Sequence, residues 1–599
     1  FTDKGFIMSL LSMRDMHFLL FDLLDVESFT AAEHYSDHSR ETFSQAIETA
    51  EQIGLRYFLP HNAEADANEP TFDGEKVTTI PAVKEAFHHF VEAGLLNASV
   101  SFEQGGMQLP ATVAAGCHAF TTAANTATAA YPFLTIAAAN LIEHFADDSL
   151  KQRYLPLLRD GRSAGTMALT EPNVGSSLAD ITTKAELGED GCYRVSGGKM
   201  YISGGDQDIT DNIVHLVLAR VVGDDPGVKG ISLFLVPKWE LLEGGERRRN
   251  DVKLAGLLHK MGYRGTTSTV LNFGEQGDCR GYLIGERGRG LTYMFMMMNE
   301  ARIGVGAGAA AMACRGYLES LDYARNRPQG RHPDDKQAGS KPVAIIEHAD
   351  VKRMLLAQKC YAEGSMALIL WANSLIDTIA TCSDAEQRQK LNELLDLITP
   401  IAKSWPSKYG PEANSLAIQV LGGSGYIREY PVEQLYRDNR LNPIHEGTEG
   451  IQGIDLLGRK VWQANGAGVH HLLAEIEQTV HRAAGNQHLA KWAEQLAGSA
   501  QLWQQTLNSL APLVQQQPRL GLANATVFLE ATGHLMIAWL WLRQALAAEK
   551  LADSEPDFAA GKHHACEFFY AWELPKIEQW CALLQSADDT TLRMRDAWF

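Results

Sequence analysis

The hydrophobic pattern of this chain changes period once and then changes back, and that switch limits the folds open to it. From about Ser9 to Leu158 apolar residues recur at helical spacing, as in PAVKEAFHHFVEAGLL and ATAAYPFLTIAAANLIEHF. Between Gly165 and Phe273 short runs of period-two or continuous β-branched character take over: GTMALT, TTKAEL, YRVSGGKMYI, IVHLVLARVV, GISLFLVP and STVLNF. The segment GEDGC at 188–192 reads as a hairpin turn between two of them. Helical periodicity returns at about Leu291 and runs to about Ala467, and the block from His470 onward is helical again, with loops at QQQPRLG and ADSEPD. The expected organisation is a helical extension over 1–32, an N-terminal α domain over 33–162, an antiparallel β domain over 163–284, a C-terminal α domain over 285–467 and an extra α-helical domain over 468–599. The fold class is therefore α+β and multidomain, and no internal repeat suggests a solenoid.

At 599 residues the chain is too long for a single core. Lys and Arg number 53 against 73 Asp and Glu, and this acidic surplus argues against a nucleic-acid backbone or an anionic membrane as the main partner. The eight cysteines show no C-x-x-C spacing, which suits a reducing, cytoplasmic setting and neither a disulfide framework nor a zinc ribbon. The most apolar run, HLMIAWLWL from His534 to Leu542, is short for a membrane span. The opening FTDKGFIMSLL, with Asp3 and Lys4, carries no evident secretory signal.

Four stretches carry candidate chemistry. MALTEPNVGSS, Met167–Ser177, runs from a strand end into a turn rich in free N–H groups and hydroxyls, suited to a planar polar ring or an anion. GGKMYISGG, Gly197–Gly205, places Tyr201 and Ser203 on one strand face between glycines that admit a ligand. QVLGGSGYIREYP, Gln419–Pro431, closes a helix with more glycines than a cap needs. In NPIHEGTEGIQGIDLLGRK, Asn442–Lys460, Glu446 precedes a helix and is either a carboxylate aimed into a cleft or a charge favoured by the helix dipole. The first two also read as an ordinary loop and an ordinary strand and turn. GVGAGA, Gly304–Ala309, follows a helix rather than a strand, so it reads as close helix packing and not a dinucleotide fingerprint. His34 and His38, with Glu33 and Asp37, have metal-like spacing but no third ligand, and read as solvated helix residues; no metal is expected.

In their order LTEPNVGSS, KMYISGG, KMGYRGTTSTV, LIGERGRGL, ARNRPQGR, QVLGGSGYIREYPVEQLYRD and IHEGTEGIQ resemble the FAD-dependent acyl-CoA dehydrogenases, from roughly Glu33 to Lys460. The HEGTEGIQGIDLLGRK form, the length and the helical tail resemble the large branch of that family, which includes methylthiopropionyl-CoA and fatty-acyl enzymes. The resemblance implies a C-terminal four-helix bundle, FAD as cofactor, an acyl-CoA substrate, an electron-transfer flavoprotein as acceptor and a homodimer. It places Glu446 at the catalytic-base position, with Arg302 nearby, while Ala301 stands where some relatives carry the base and Glu300 is one residue off. Met167, Leu169, Thr170, Tyr201 and Ser203 would line the flavin, and Ser176 would contact flavin phosphate or CoA. Arg327, Gln419, Gly422, Gly423 and Thr448 are the other FAD-binding candidates, with Arg327, Gln419 and Gly423 holding the ADP half from a neighbouring subunit. Three departures stand out: Pro-Gln-Gly after Arg327, Gly450 for a frequent Gln, and Tyr201 for a frequent Trp. The alternatives on this fold are an acyl-CoA oxidase and a DNA-damage-response flavoprotein, the latter disfavoured by the acidic tail.

Overall fold

The six period-two segments, with Val252–Leu257 and Arg280–Ile284 added, build one eight-stranded sheet. In sheet order the strands are Val252–Leu257, Ser268–Phe273, Tyr193–Ser203, Arg280–Ile284, Ile231–Pro237, Asn212–Val221 and Ser163–Ala168, and Lys184–Leu187 pairs with both Tyr193–Ser203 and Asn212–Val221. Antiparallel pairing dominates; Ser163–Ala168 and Lys184–Leu187 run parallel to Asn212–Val221, to which no hairpin joins them. The GEDGC turn links Lys184–Leu187 to Tyr193–Ser203 as an antiparallel pair. Asn212–Val221 and Ile231–Pro237 are buried along nearly their whole length, which is why they read as continuous apolar runs.

The computed structural model describes residues 9–242, 244–335, 337 and 339–599; the opening residues, read above for a secretory signal, lie outside them. The chain forms two compact units. One holds Ala46–Leu109 and Phe120–Ala301, and the other holds the chain up to Gln45, Pro110–Ala119 and Arg302–Phe599. In the first, helix Thr126–Phe145 starts at Asn125, whose side chain accepts a hydrogen bond from Thr128 N–H at 3.1 Å. That helix packs on the sheet so closely that a Cβ on Gly165 would lie 2.3 Å from the methyl of Ala138. A two-stranded ribbon, Thr71–Phe72 with Val77–Thr78, interrupts the helices of this unit where Asp73 accepts from the N–H groups of Glu75 and Lys76.

The second unit is helical. Helices Ala349–Thr381 and Ala385–Leu421 pack with the Arg302–Asn326 part of helix Gly290–Asn326 and with the C-terminal helices around one core. GVGAGA lies inside helix Gly290–Asn326, and a Cβ on Gly306 would meet the carbonyl oxygen of Ala402 at 2.0 Å, so the glycine serves close helix approach. Trp503, Trp539 and Trp541 are fully buried, each worth roughly 1.5–3 kcal/mol or more of transfer free energy. Their indole N–H groups donate to Thr532, Thr479 and the carbonyl of Cys360. Trp539 and Trp541 lie on Ala525–Glu549, which is, among the described residues, the one helix long and apolar enough to cross a membrane; 83% of its apolar window is buried inside the protein. Helix Glu449–Gly458 meets the start of this helix so tightly that a Cβ on Gly453 would lie 2.8 Å from the backbone of Ala525.

His34 and His38 do not share a helix. A 3-10 turn covers Glu33–Tyr35 and a loop follows, because Ser39 and Thr42 form the start of helix Arg40–Ile53 by exchanging side-chain to backbone hydrogen bonds. Among the described residues no His, Cys, Asp and Glu cluster could hold a metal ion.

Candidate active site

Glu446 sits on a loop whose conformation is imposed from below. Asn414, Asn439 and Asn442 are buried and linked in series: Asn414 donates to the carbonyl of Met312, Asn439 to Asn414 and to the carbonyl of Ala309, and Asn442 to Asn439. Lys403, fully buried on helix Ala385–Leu421, donates to the carbonyls of Asn442 and Gly447, each at 2.7 Å. Gln452 donates through Nε2 to the carbonyl of Glu446 at 3.0 Å. Between these clamps Glu446 and Gly447 are both left-handed, with φ of 53° and 93°. A non-glycine residue pays for that conformation, and such strain persists only where surrounding structure over-determines it.

Neither the backbone N–H nor the carboxylate of Glu446 has a hydrogen-bond partner among the described residues. Burial raises the carboxyl above its ordinary value, against the opposing pull of Lys403 and Arg302. His445 is kept neutral by burial and by the Lys403 charge, its pKa lowered to about 3. Arg302 is buried and donates to Asp455 at 2.9 Å, while its Nε is buried with no partner; Gln452 Oε1 is in the same state. Buried polar groups of this kind are ones that another molecule's donors and acceptors can satisfy. Glu300 belongs to the other unit; burial raises its carboxyl as well, and Asn140 donates to it at 3.5 Å.

In the sheet unit, Met167 lies near the end of Ser163–Ala168, opposite Leu216. The carbonyl of Leu169 accepts from Lys199 Nζ at 2.9 Å, and that of Thr170 from Met200 N–H at 2.9 Å, so the loop is tied to strand Tyr193–Ser203. Glu171 is buried beneath it, accepting from Thr182, Thr183 and Lys199. On the strand Ile202 points into the core, while Tyr201 and Ser203 face solvent. Tyr201 is 64% exposed, with φ of 60°, an unusual setting for a large aromatic residue inside a strand. Ser176 is exposed on the turn beyond.

Elsewhere in the helical unit Gln419 is exposed near the end of helix Ala385–Leu421, and its carbonyl accepts from Gly422 N–H. Gly422 needs its glycine for a φ of 59°, and Gly425 because a Cβ would meet the carbonyl of Ile418 at 2.5 Å. Gly423 has neither reason; space beside it is open, which leaves bare backbone for another molecule to approach. Arg327 is exposed just beyond helix Gly290–Asn326, and Thr448 is the N-cap residue of helix Glu449–Gly458.

The structure thus gathers Glu446, Arg302, Lys403 and Gln452 in one unit and Met167, Leu169, Thr170, Tyr201 and Ser203 in the other. Sequence reading misses Lys403, Gln452 and the Lys199–Glu171 pair as site residues. A lysine embedded in the apolar TPIAKSWP, and another inside KMYISGG, are the signals that could have found two of them.

Family models for acyl-CoA dehydrogenase match residues 41–162 (N-terminal domain), 166–275 (middle domain) and 288–461 (C-terminal domain). A fourth, acetyl-CoA dehydrogenase C-terminal like, matches 472–595. The 3-methylmercaptopropionyl-CoA dehydrogenase of Ruegeria pomeroyi is 35% identical over 90% of this chain and 91% of its own length. The broad-specificity linear acyl-CoA dehydrogenase FadE5 of Mycobacterium tuberculosis is 31% identical over 98% of this chain and 99% of its own. In fold the chain is similar to an acyl-CoA dehydrogenase of Bacillus anthracis solved in complex with FAD, with a TM-score of 0.75 at 20% identity over 94% of this chain and 92% of that one. With these matches spread along its length, the chain belongs to the acyl-CoA dehydrogenase family. It is an oxidoreductase.

Proposed function

We propose that this enzyme oxidises the Cα–Cβ bond of an acyl-CoA thioester to a trans-2-enoyl-CoA, with Glu446 accepting the α-proton. The observation that carries this reading is a half-buried carboxylate, held in a strained conformation and with no hydrogen-bond partner among the described residues, whose burial raises its pKa. A general base works best when its pKa approaches the working pH, and burial moves Glu446 in that direction. Its free backbone N–H is a donor for the thioester carbonyl, where negative charge develops as the α-proton leaves. The Arg302 charge beside the carboxylate favours the ionised, proton-accepting form.

The residues present fit FAD: an exposed aromatic face at Tyr201, the hydroxyl of Ser203 beside it and the open backbone at Gly423. When bound, FAD supplies the two-electron oxidation by accepting the β-hydrogen as hydride. Met167, Leu169, Thr170, Tyr201 and Ser203 would line its flavin, and Ser176 would contact flavin phosphate or the CoA moiety. Arg327, Gln419 and Gly423 of a second subunit of a homodimer would hold the ADP half, and Gly422 and Thr448 are further FAD-binding candidates. The carbonyl of Leu169 is engaged by Lys199, so that residue contributes through its remaining groups. Electrons then pass to an electron-transfer flavoprotein in the cytoplasm.

The decisive experiment adds acyl-CoA anaerobically to purified Glu446→Gln protein. The variant retains FAD and binds substrate, and its flavin stays oxidised; near-normal bleaching would refute the assignment. Turnover across butyryl, octanoyl, palmitoyl and 3-methylthiopropionyl thioesters identifies the acyl group. Peroxide yield with and without electron-transfer flavoprotein separates dehydrogenase from oxidase, and light scattering of the FAD-loaded protein reports the dimer.

A further inference from the structure

Lys403 has no place in the reaction described so far, yet a fully buried lysine demands a reason. Among the described residues its ammonium makes no ion-pair contact at hydrogen-bond distance; it donates instead to two backbone carbonyls, of Asn442 and Gly447, that bracket Glu446. Two neutral acceptors repay little of the cost of burying a charge. The two N–H donors of a neutral glutamine amide could satisfy carbonyls at lower cost, so the position is explained by the charge itself and by what that charge faces.

Resting on the reading of Glu446 as the base, we infer that Lys403 is its positioning residue: pinned at both ends of the loop, it holds Glu446 in the left-handed conformation and keeps its carboxylate ionised between turnovers. The charges acting on Lys403 are Glu446 and Glu449 from the loop and the helix that follows, and Arg302 from helix Gly290–Asn326; His445, beside it, is neutral. Burial lowers the lysine to about 8 against the pull of those two glutamates, so it carries its charge at neutral pH. The opposing effect on Glu446 is direct: burial drives that carboxyl toward protonation and Lys403 is the larger of the two charges resisting it. Arg302 is the other, but it is committed to Asp455. Loss of the Lys403 charge therefore leaves a buried carboxyl that keeps its proton at pH values where wild type has released it.

The test uses full-length, FAD-loaded protein and whichever acyl-CoA of the four-member series reduces the wild-type flavin fastest. Lys403→Met removes the charge and both hydrogen bonds. Lys403→Gln removes the charge but keeps an N–H₂ donor for the carbonyls, and carries the test where the Met variant does not fold. In both, the acid limb of the reduction rate against pH moves upward by about one unit or more. At neutral pH the rate falls by about 10²-fold in the Met variant, within the range of a general-base contribution. Lys403→Arg keeps the charge, and its acid limb stays with wild type even if its rate falls. A readout independent of turnover is the carboxyl stretch of protonated Glu446 in infrared difference spectra against Glu446→Gln: it persists to higher pH in Lys403→Gln. Acid limbs and carboxyl titrations that coincide in wild type and Lys403→Gln overturn the inference while leaving Glu446 as the base. Flavin reduction by Glu446→Gln instead overturns the base assignment on which it rests.

Discussion

The ammonium of Lys199 lies 3.0 Å from the carboxylate of Glu171, and both side chains are buried where strand Tyr193–Ser203 meets the loop after Ser163–Ala168. The pair sits directly beneath the residues assigned to the flavin, since Lys199 also donates to the carbonyl of Leu169. Burial works against the Glu171 charge, but hydrogen bonds from Thr182 and Thr183 and the Lys199 ammonium outweigh it and hold the carboxyl down to about 2.

Breaking that pair from one side leaves an uncompensated buried charge, which costs about 3–5 kcal/mol. Glu171→Gln is therefore expected to lower the thermal midpoint and to lose FAD before the rest of the protein unfolds, followed by flavin release on heating. Lys199→Met should do the same. Because the folded-state pKa of Glu171 is depressed, its stabilising contribution is present above about 4.3 and is lost as pH falls from there toward 2. A variant as stable as wild type at neutral pH would remove this pair from the account.

Glu446→Gln should abolish flavin reduction, with losses at or beyond the upper part of the ~10²–10⁴-fold range for a general base. Glu300→Gln is expected to be mild: burial raises that carboxyl too, but Asn140 donates to it, whereas the Glu446 carboxylate has no partner among the described residues. Rapid-mixing anaerobic reduction of the two variants compares them directly.

The pH profile of wild type follows from the raised carboxyl of Glu446. Proton acceptance needs the ionised form, so the rate of reduction is suppressed at low pH and climbs through a pKa above the ordinary glutamate value of about 4.3. An acid limb at or below that value would contradict a buried, partnerless base.

Gly447→Ala tests the strained turn. The added Cβ would lie 2.5 Å from Gln452 Nε2 at a φ of 93°, so the clamp on the Glu446 carbonyl must give way. A cost of about 1–3 kcal/mol is expected for the conformation, together with a large fall in reduction rate and full FAD content. Normal reduction would show that the loop needs no such geometry.

The sheet was legible because a period of two and a period of three to four cannot be confused over runs of this length. The GEDGC turn and the helix starting at Glu449 were legible for similarly local reasons. Glu446 stood out only as a loop carboxylate, and composition could not separate a base from a helix-start charge. What settles its surroundings is non-local: Lys403 reaches it from a helix more than a helix length away in sequence, through carbonyl groups that every residue possesses. Backbone acceptors leave no letter in a sequence. The parallel pairing of Ser163–Ala168 with Asn212–Val221 was hidden for the same reason, since register is written between segments and not within them.

The close contact of Gly453 with Ala525 bears on the order in which the protein is made. Domains fold as they leave the ribosome, N-terminal first. The helix that follows Glu446 packs on helix Ala385–Leu421, but its more extensive packing partner lies in a segment translated after every motif of the site has already emerged. A chain stopped shortly after Gly468 would carry each recognisable signature of an oxidoreductase of this family and still lack the surface against which Gly453 of the following helix sets. The helical tail is a late buttress to the helix behind the base, added to clamps from Lys403 and Gln452 that are already in the chain.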